Sequence, residues 1–193
     1  MKLPFLALAA SGILAAASPA FADSSAPSGL RTEAFFGWDR ISLDGTSLGA
    51  GIYRKSGVTY GGGIGYDLPV SSTFSLGADA ELSGSSAGYT ANTDYLHSGR
   101  EIYVGARGTM AVGPKTNVYV KVGYANSRLM GGIPGVVRIS ANNGNAQVGI
   151  GVQQFFAKNL YGLVEYRQLS NAIGLGGGGY SRSQVVTGFG YRF

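Results

Sequence analysis

The chain has 193 residues, among them 33 Gly, 12 Tyr, one His and no Cys, with 13% charged residues and a formal net charge of +5. Without cysteine there is no disulfide framework, no thiolate chemistry and no lipid attachment at a cysteine. Glycine at this density is unfavourable for helices, at about 1 kcal/mol each. The basic residues are scattered and no nucleic-acid motif accompanies them, so nucleic acid is not an expected partner.

In chain order, Lys2 precedes an apolar run over residues 3–17, and Ala20-Phe21-Ala22 after Pro19 forms an A-x-A cleavage site. This pattern predicts a signal peptide over residues 1–22. A membrane anchor would need about 20 apolar residues, more than this run supplies. Residues 23–29 read as a short linker, and residues 30–193 suffice for one domain.

Period-two alternation fills that domain, and eight segments are predicted as strands. Residues 30–42 set Ala34, Phe36 and Trp38 against Glu33, Phe35, Gly37 and Asp39. Residues 58–68 set Val58, Tyr60, Ile64, Tyr66 and Leu68 against Thr59, Gly61, Gly63, Gly65 and Asp67. Residues 74–83 alternate Phe74, Leu76, Ala78, Ala80 and Leu82 with Ser75, Gly77, Asp79, Glu81 and Ser83. Residues 99–112 oppose Ile102, Val104, Ala106 and Met110 to Glu101, Tyr103, Arg107 and Thr109, and residues 117–128 oppose Val118, Val120, Val122 and Tyr124 to Tyr119, Lys121, Gly123 and Ala125. In residues 143–155, Ala146, Val148, Ile150 and Val152 face away from Gln147, Gly149, Gly151 and Gln153. The least regular segment, residues 160–169, is predicted to turn Tyr161, Leu163, Glu165 and Arg167 inward. The last, residues 183–193, ends on Phe189, Tyr191 and Phe193, all on one face.

Each segment is near the roughly 9 to 11 residues that a tilted strand needs to cross a bilayer. The connections after the second, fourth and sixth segments are short, and the others are expected to run to a dozen residues or more. Short turns at one end and long loops at the other are the signature of an outer-membrane barrel. In lipid every backbone N–H and C=O must be paired, so the eighth strand must close on the first. A soluble sandwich or lipocalin-like barrel would bury the apolar face, and a soluble core would not hold charges on the other. The expected fold is therefore all-β, an eight-stranded antiparallel up-and-down transmembrane barrel.

The parity turns Asp79, Glu81, Glu101, Arg107, Lys121, Glu165 and Arg167 into the bore, where eight strands leave room only for side chains. Asp79, Arg107, Lys121 and Glu165 are expected at similar heights, with Glu81 and Arg167 one step higher. Opposite charges in so narrow a space should pair, because an isolated buried partner costs about 3–5 kcal/mol. Glu33 and Arg192, both inward near the same end, are expected to pair across the closing seam. Arg40, Arg100, Arg128 and Arg138 fall outward at the far strand ends.

Enzyme motifs are weak. Gly84-Ser85-Ser86-Ala87-Gly88 matches G-x-S-x-G, but that elbow requires a strand-to-helix turn, and the segment is expected to be a loop tip. Gly61 to Gly63 and Gly176 to Gly179 lack the context of a phosphate loop; the first is expected in the barrel wall and the second in a loop. No His or Cys cluster suggests a metal site.

Residues 34–42 (AFFGWDRIS), 57–68 (GVTYGGGIGYDL), 119–129 (YVKVGYANSRL), 164–171 (VEYRQLSN) and 181–193 (SRSQVVTGFGYRF) resemble the opacity-type, OmpA-like eight-stranded "porin family" barrels of alphaproteobacteria. The resemblance covers essentially the whole of residues 30–193. It implies an integral protein of the Gram-negative outer membrane with both termini in the periplasm, a role in envelope integrity, adhesion or host contact, and neither enzymatic activity nor a cofactor. Phe189, Tyr191 and Phe193 resemble the closing-strand signal read by the barrel assembly machinery, and would form part of an aromatic girdle. The four outward arginines would meet lipopolysaccharide phosphates, with which Arg pairs bidentately. The long outer loops would carry contacts to a host or surface ligand. Because the chain ends at Phe193, no periplasmic peptidoglycan-binding domain is expected. A narrow diffusion channel is the alternative. A lipid A-modifying enzyme ranks third, since Ser170-Asn171 is faintly similar to lipid A deacylases; those have a His two positions before the Ser, where this chain has Gln168, and the only His, His97, stands elsewhere.

Overall fold

The computed structural model describes residues 25–44, 52–90, 95–133, 137–170 and 179–193. The expected signal peptide and Gly176 to Gly178 lie outside these residues, as do the side chains of His97, Arg138 and Ser170. Nine strands form among the described residues: β1 (Gly29–Asp44), β2 (Ile52–Pro69), β3 (Phe74–Ser85), β4 (Gly88–Thr90), β5 (Tyr95–Gly113), β6 (Thr116–Ile133), β7 (Val137–Phe155), β8 (Leu160–Ser170) and β9 (Gly179–Arg192). The short β4 continues β3, and both pair with β5, so the two share one position in the wall. Every pairing is antiparallel, and β9 pairs with both β8 and β1. The result is a closed eight-stranded barrel.

The alternation decides which face looks in. Most outward apolar side chains are exposed, Ile64 at 50% and Ile150 at 60% among them, while the alternate positions are mostly buried. The barrel is therefore apolar outside and polar inside, the reverse of a soluble fold. The inward parity expected for residues 160–169 holds: Tyr161, Leu163, Glu165 and Arg167 are all buried.

The strands run further than their hydrophobic patterns. The short turns at residues 70–73, 114–115 and 156–159 fall where expected. At the opposite end β1 continues to Asp44 and β2 begins at Ile52, while β6 continues to Ile133 and β7 begins at Val137. The dozen-residue connections expected there are correspondingly shorter, because backbone pairing extends beyond the apolar band into residues whose side chains carry no alternation. The G-x-S-x-G segment is likewise not a loop tip: Ser85 ends β3, and Ser86 Oγ accepts a hydrogen bond of 2.8 Å from Val58 N.

Glycine makes the narrow bore possible. Arg31 stands opposite Gly65, Tyr119 opposite Gly151, Lys121 opposite Gly149 and Tyr161 opposite Gly190. A Cβ built on any of these glycines would lie within 3.0 Å of the long side chain facing it. The inward glycines are not empty spaces but the room into which the neighbouring strand's large residues fold.

At the turn end the seam is pinned locally. Phe193 N donates to Leu30 O at 2.9 Å, and Gly29 takes a positive φ of 91° beside the Phe193 carbonyl. The preceding segment crosses toward the β2–β3 turn, where Ala26 N donates to Ser72 O and Ser75 Oγ donates to Pro27 O.

Candidate functional site

The interior charges form three tiers. Nearest the short turns, Arg107 Nη1 and Nη2 donate to the two oxygens of Glu33 at 3.0 Å each, and its Nε donates to Asp79 Oδ2 at 2.8 Å. Arg31 joins the same carboxylates and adds Asp67, whose Oδ2 accepts from Nε at 2.9 Å. Tyr161 and Gln153 complete the shell of Glu33 through hydrogen bonds of 2.8 and 3.2 Å to Oε1. One side of the Arg107 guanidinium lies over the Tyr119 ring at 4.2 Å.

In the middle tier Lys121 Nζ lies 2.5 Å from Glu81 Oε1 and 2.9 Å from Glu165 Oε1. Arg167 bridges the same two carboxylates at 2.9 and 2.8 Å and stacks on Phe35 at 4.3 Å. Tyr119 Oη donates to Glu165 Oε2 at 2.8 Å. An apolar layer of Tyr103, Ala125 and Leu169 follows. Above it Arg182 grips Asp39 with Nε and Nη2, at 2.8 and 2.6 Å, and reaches Glu101 with Nη1. Ser85 and Ser127 donate to those two carboxylates.

These pairs cross the bore. With β3 and β4 counted as one wall position, Arg167 on β8 and Glu81 on β3 stand half-way round the ring from each other, as do Arg182 on β9 and Glu101 on β5. Arg107 on β5 reaches Glu33 three wall positions away. Each tier is thus a strut between facing walls.

The expected inward charges are all buried, but their grouping differs from the expected heights: Asp79 and Arg107 share the lower tier, while Lys121 and Glu165 pair with Glu81 and Arg167 in the middle one, because the tilt and stagger of the strands set the levels. Glu101 departs from them: six residues above Arg107 on β5, it belongs to the tier of Arg182. The expected Glu33–Arg192 seam pair does not form. The β1–β9 register places Arg31 opposite Arg192 and Glu33 opposite Gly190, so Arg192 turns to Asp67, 2.7 Å away, and Glu33 is held by Arg107 and Arg31. Arg31 and Arg182, which the expected set does not include, share the inward parity of Glu33 and Gln184 two residues along the same strands, and that parity is the signal that places them in the bore.

The outward residues fall into two groups. Phe189, Tyr191 and Phe193 are exposed at the turn end, with the Tyr191 and Phe193 rings edge-on at 5.0 Å. Arg40, Arg100 and Arg128 are exposed at the loop end, Arg40 lying over Trp38 at 4.6 Å. Among the described residues, no group of three or more His, Cys, Asp or Glu is arranged to hold a metal ion.

An apolar exterior, a polar ion-paired interior and a closed antiparallel ring of eight strands define an integral outer-membrane β-barrel of the OmpA-like type. The chain belongs to the family described as outer membrane protein beta-barrel domain, which it matches over residues 6–193. Among solved structures it is similar to Neisserial surface protein A, with a TM-score of 0.63 and 16% identity over 86% of this chain and 98% of that one. OprG of Pseudomonas aeruginosa follows the same fold at a TM-score of 0.54, with 10% identity over 89% and 98% of the two chains. So does Ail, the attachment invasion locus protein of Yersinia pestis, at 0.52 and 10% identity over 86% and 100%. No curated protein matches the chain in sequence.

Proposed function

We propose that this protein is a non-catalytic outer-membrane barrel whose bore is closed by its own ion pairs and which serves the envelope as a structural or surface-contact element. The short turns lie in the periplasm and the opposite strand ends face outward, the usual arrangement of such barrels. The observation that carries the reading is the set of ion pairs between facing walls, above all Arg167–Glu81 and Arg182–Glu101. A side chain tied across the bore occupies the path that a solute would take, and the glycines around it are already filled. Ail, which shares the fold, is named for attachment and invasion, in keeping with a surface-contact role.

A narrow diffusion channel is the second reading. Its support is the Gln147 amide and the Tyr103 hydroxyl, buried near the apolar layer without a partner among the described residues, polar atoms that bridging water would satisfy. Planar-bilayer recording of the native protein separates the two. The closed-bore reading expects little or no steady conductance, and measurable leak from Arg107→Ala or Lys121→Ala. Stable, large single-channel currents from the unmodified protein would instead make the channel the function.

A further inference from the structure

The bore holds charges of both signs, paired with each other, whereas the described exterior carries charges of one sign. Seven of its ten carboxylates, Glu33, Asp39, Asp67, Asp79, Glu81, Glu101 and Glu165, are buried in the bore. Among the described side chains, every exposed charged one is a cation. Lys115 and Lys158 lie in the short turns, and the exposed arginines gather at the other end.

Those arginines are paired by the sheet. The β5–β6 ladder shifts register between Ser98/Leu129 and Glu101/Ser127, so Gly99 and Arg100 together oppose Arg128 in a bulge. Both arginines have outward parity and both are exposed. On another part of the wall Arg40 pairs with Ser56 and Arg54 with Ser42, which sets these two outward, exposed arginines diagonally across β1 and β2. Like charges opposite each other destabilise a ladder, and none of the four has a carboxylate partner among the described residues. Bulges often re-aim side chains beside functional sites, and a local rule broken without a compensating carboxylate points the same way.

Height supplies the ligand. From Leu30 to Arg40 on β1, and from Met110 to Arg100 on β5, the outward side chains are apolar or uncharged for ten residues, a rise of about 25 Å at ordinary strand rise and tilt. That is the height of the hydrocarbon band, so the pairs sit at its outer edge, at headgroup level. Two guanidinium forks on one short stretch of wall match a phosphate monoester, which can accept from both.

We propose that Arg100 with Arg128, and Arg40 with Arg54, form two phosphate clamps, each holding the phosphorylated headgroup of a lipid A-type glycolipid in the outer leaflet. The proposal rests on the orientation given above, loop end outward, and is independent of whether the bore conducts.

The test uses full-length protein purified from outer membranes, with folding checked by heat-modifiable migration. Diphosphorylated and dephosphorylated lipid A are offered in matched phospholipid nanodiscs. The clamps predict roughly tenfold tighter association with the diphosphorylated lipid, lost in Arg100→Gln/Arg128→Gln combined with Arg40→Gln/Arg54→Gln and partly kept in the corresponding lysine variants. Lys115→Gln/Lys158→Gln should leave it unchanged, and excess inorganic phosphate should compete only weakly. Equal association with both lipids, or unchanged association in the folded quadruple variant, would overturn the proposal. So would saturation by inorganic phosphate with no preference for lipid, which would make the ligand a soluble anion. Conductance measured on the same samples keeps a failure of the closed-bore reading separate from a failure of this one.

Discussion

Arg107 shows how much of the interior rests on single side chains. It is 1% exposed and holds Glu33 through two hydrogen bonds and Asp79 through a third. Arg107→Ala removes five potential donors from a region that water reaches poorly, leaving Arg31 as the arginine shared by both carboxylates. Breaking a buried pair on one side costs about 3–5 kcal/mol, because the charge left behind is uncompensated. The expected outcome is a lower unfolding midpoint in urea, followed by the heat-modifiable gel shift. Adding Glu33→Ala should recover part of the loss, since the stranded charge is then removed as well. If the double variant is as unstable as the sum of the two single ones, the pair has no coupling and the network does not hold the fold.

At the scale of strands, the alternation that identifies them also explains the glycine content. Large inward residues and glycines face each other across neighbouring strands, as Lys121 and Arg167 both do with Gly149. A Cβ at Gly149 would come within 2.7 Å of Glu165 Oε1 and 3.0 Å of Lys121 Cγ. Gly149→Val should therefore destabilise the barrel by about 1–3 kcal/mol through overpacking. The outward Gly108, whose Cβ would meet only Phe74 and Val120 side-chain atoms at ordinary contact distance, should tolerate the same change. Comparison of the two variants' urea midpoints checks this; equal losses would mean that strand glycine, rather than the bore, sets the cost. The parity of Glu33, Arg107 and Phe189 was legible in the sequence because one face must meet lipid. The outer strand ends were not, since Arg138, Ser140 and Asn142 on β7 lie in a stretch where pairing continues but no apolar face is required. The partners of Glu33 and Arg192 were not legible either, because parity fixes the face but not the register. Just beyond β9, deletion of Phe193 removes an outward aromatic ring and the N–H that bonds Leu30 O. Insertion of that truncation into outer membranes should be slower in a pulse-chase of folded against unfolded bands, and unchanged kinetics would remove the residue from any assembly role.

For the whole molecule, the segregation of charge gives a prediction that involves no mutation. The Debye length is about 10 Å at 0.1 M salt and about 3 Å at 1 M, so added salt weakens attractions between charges that solvent ions can approach. The interior pairs are buried and closely tied, Arg167 to Glu81 at 2.9 Å and Lys121 to Glu165 at the same distance. If the bore excludes ions, the urea midpoint of the folded barrel should change little between low and high sodium chloride once the salt's effect on a variant with an uncharged middle tier is subtracted. That variant would carry Glu81→Met, Lys121→Met, Glu165→Met and Arg167→Met, a replacement that well-packed apolar side chains often tolerate. The exposed arginines should behave oppositely, and association with anionic lipid should fall steeply over the same salt range. A stability that falls with salt in the native protein but not in the methionine variant would mean that ions reach the tiers, and hence that the struts stand in a water-filled path. The conductance measurement would then be expected to show current, and both results would point to a channel lined by charge pairs rather than closed by them.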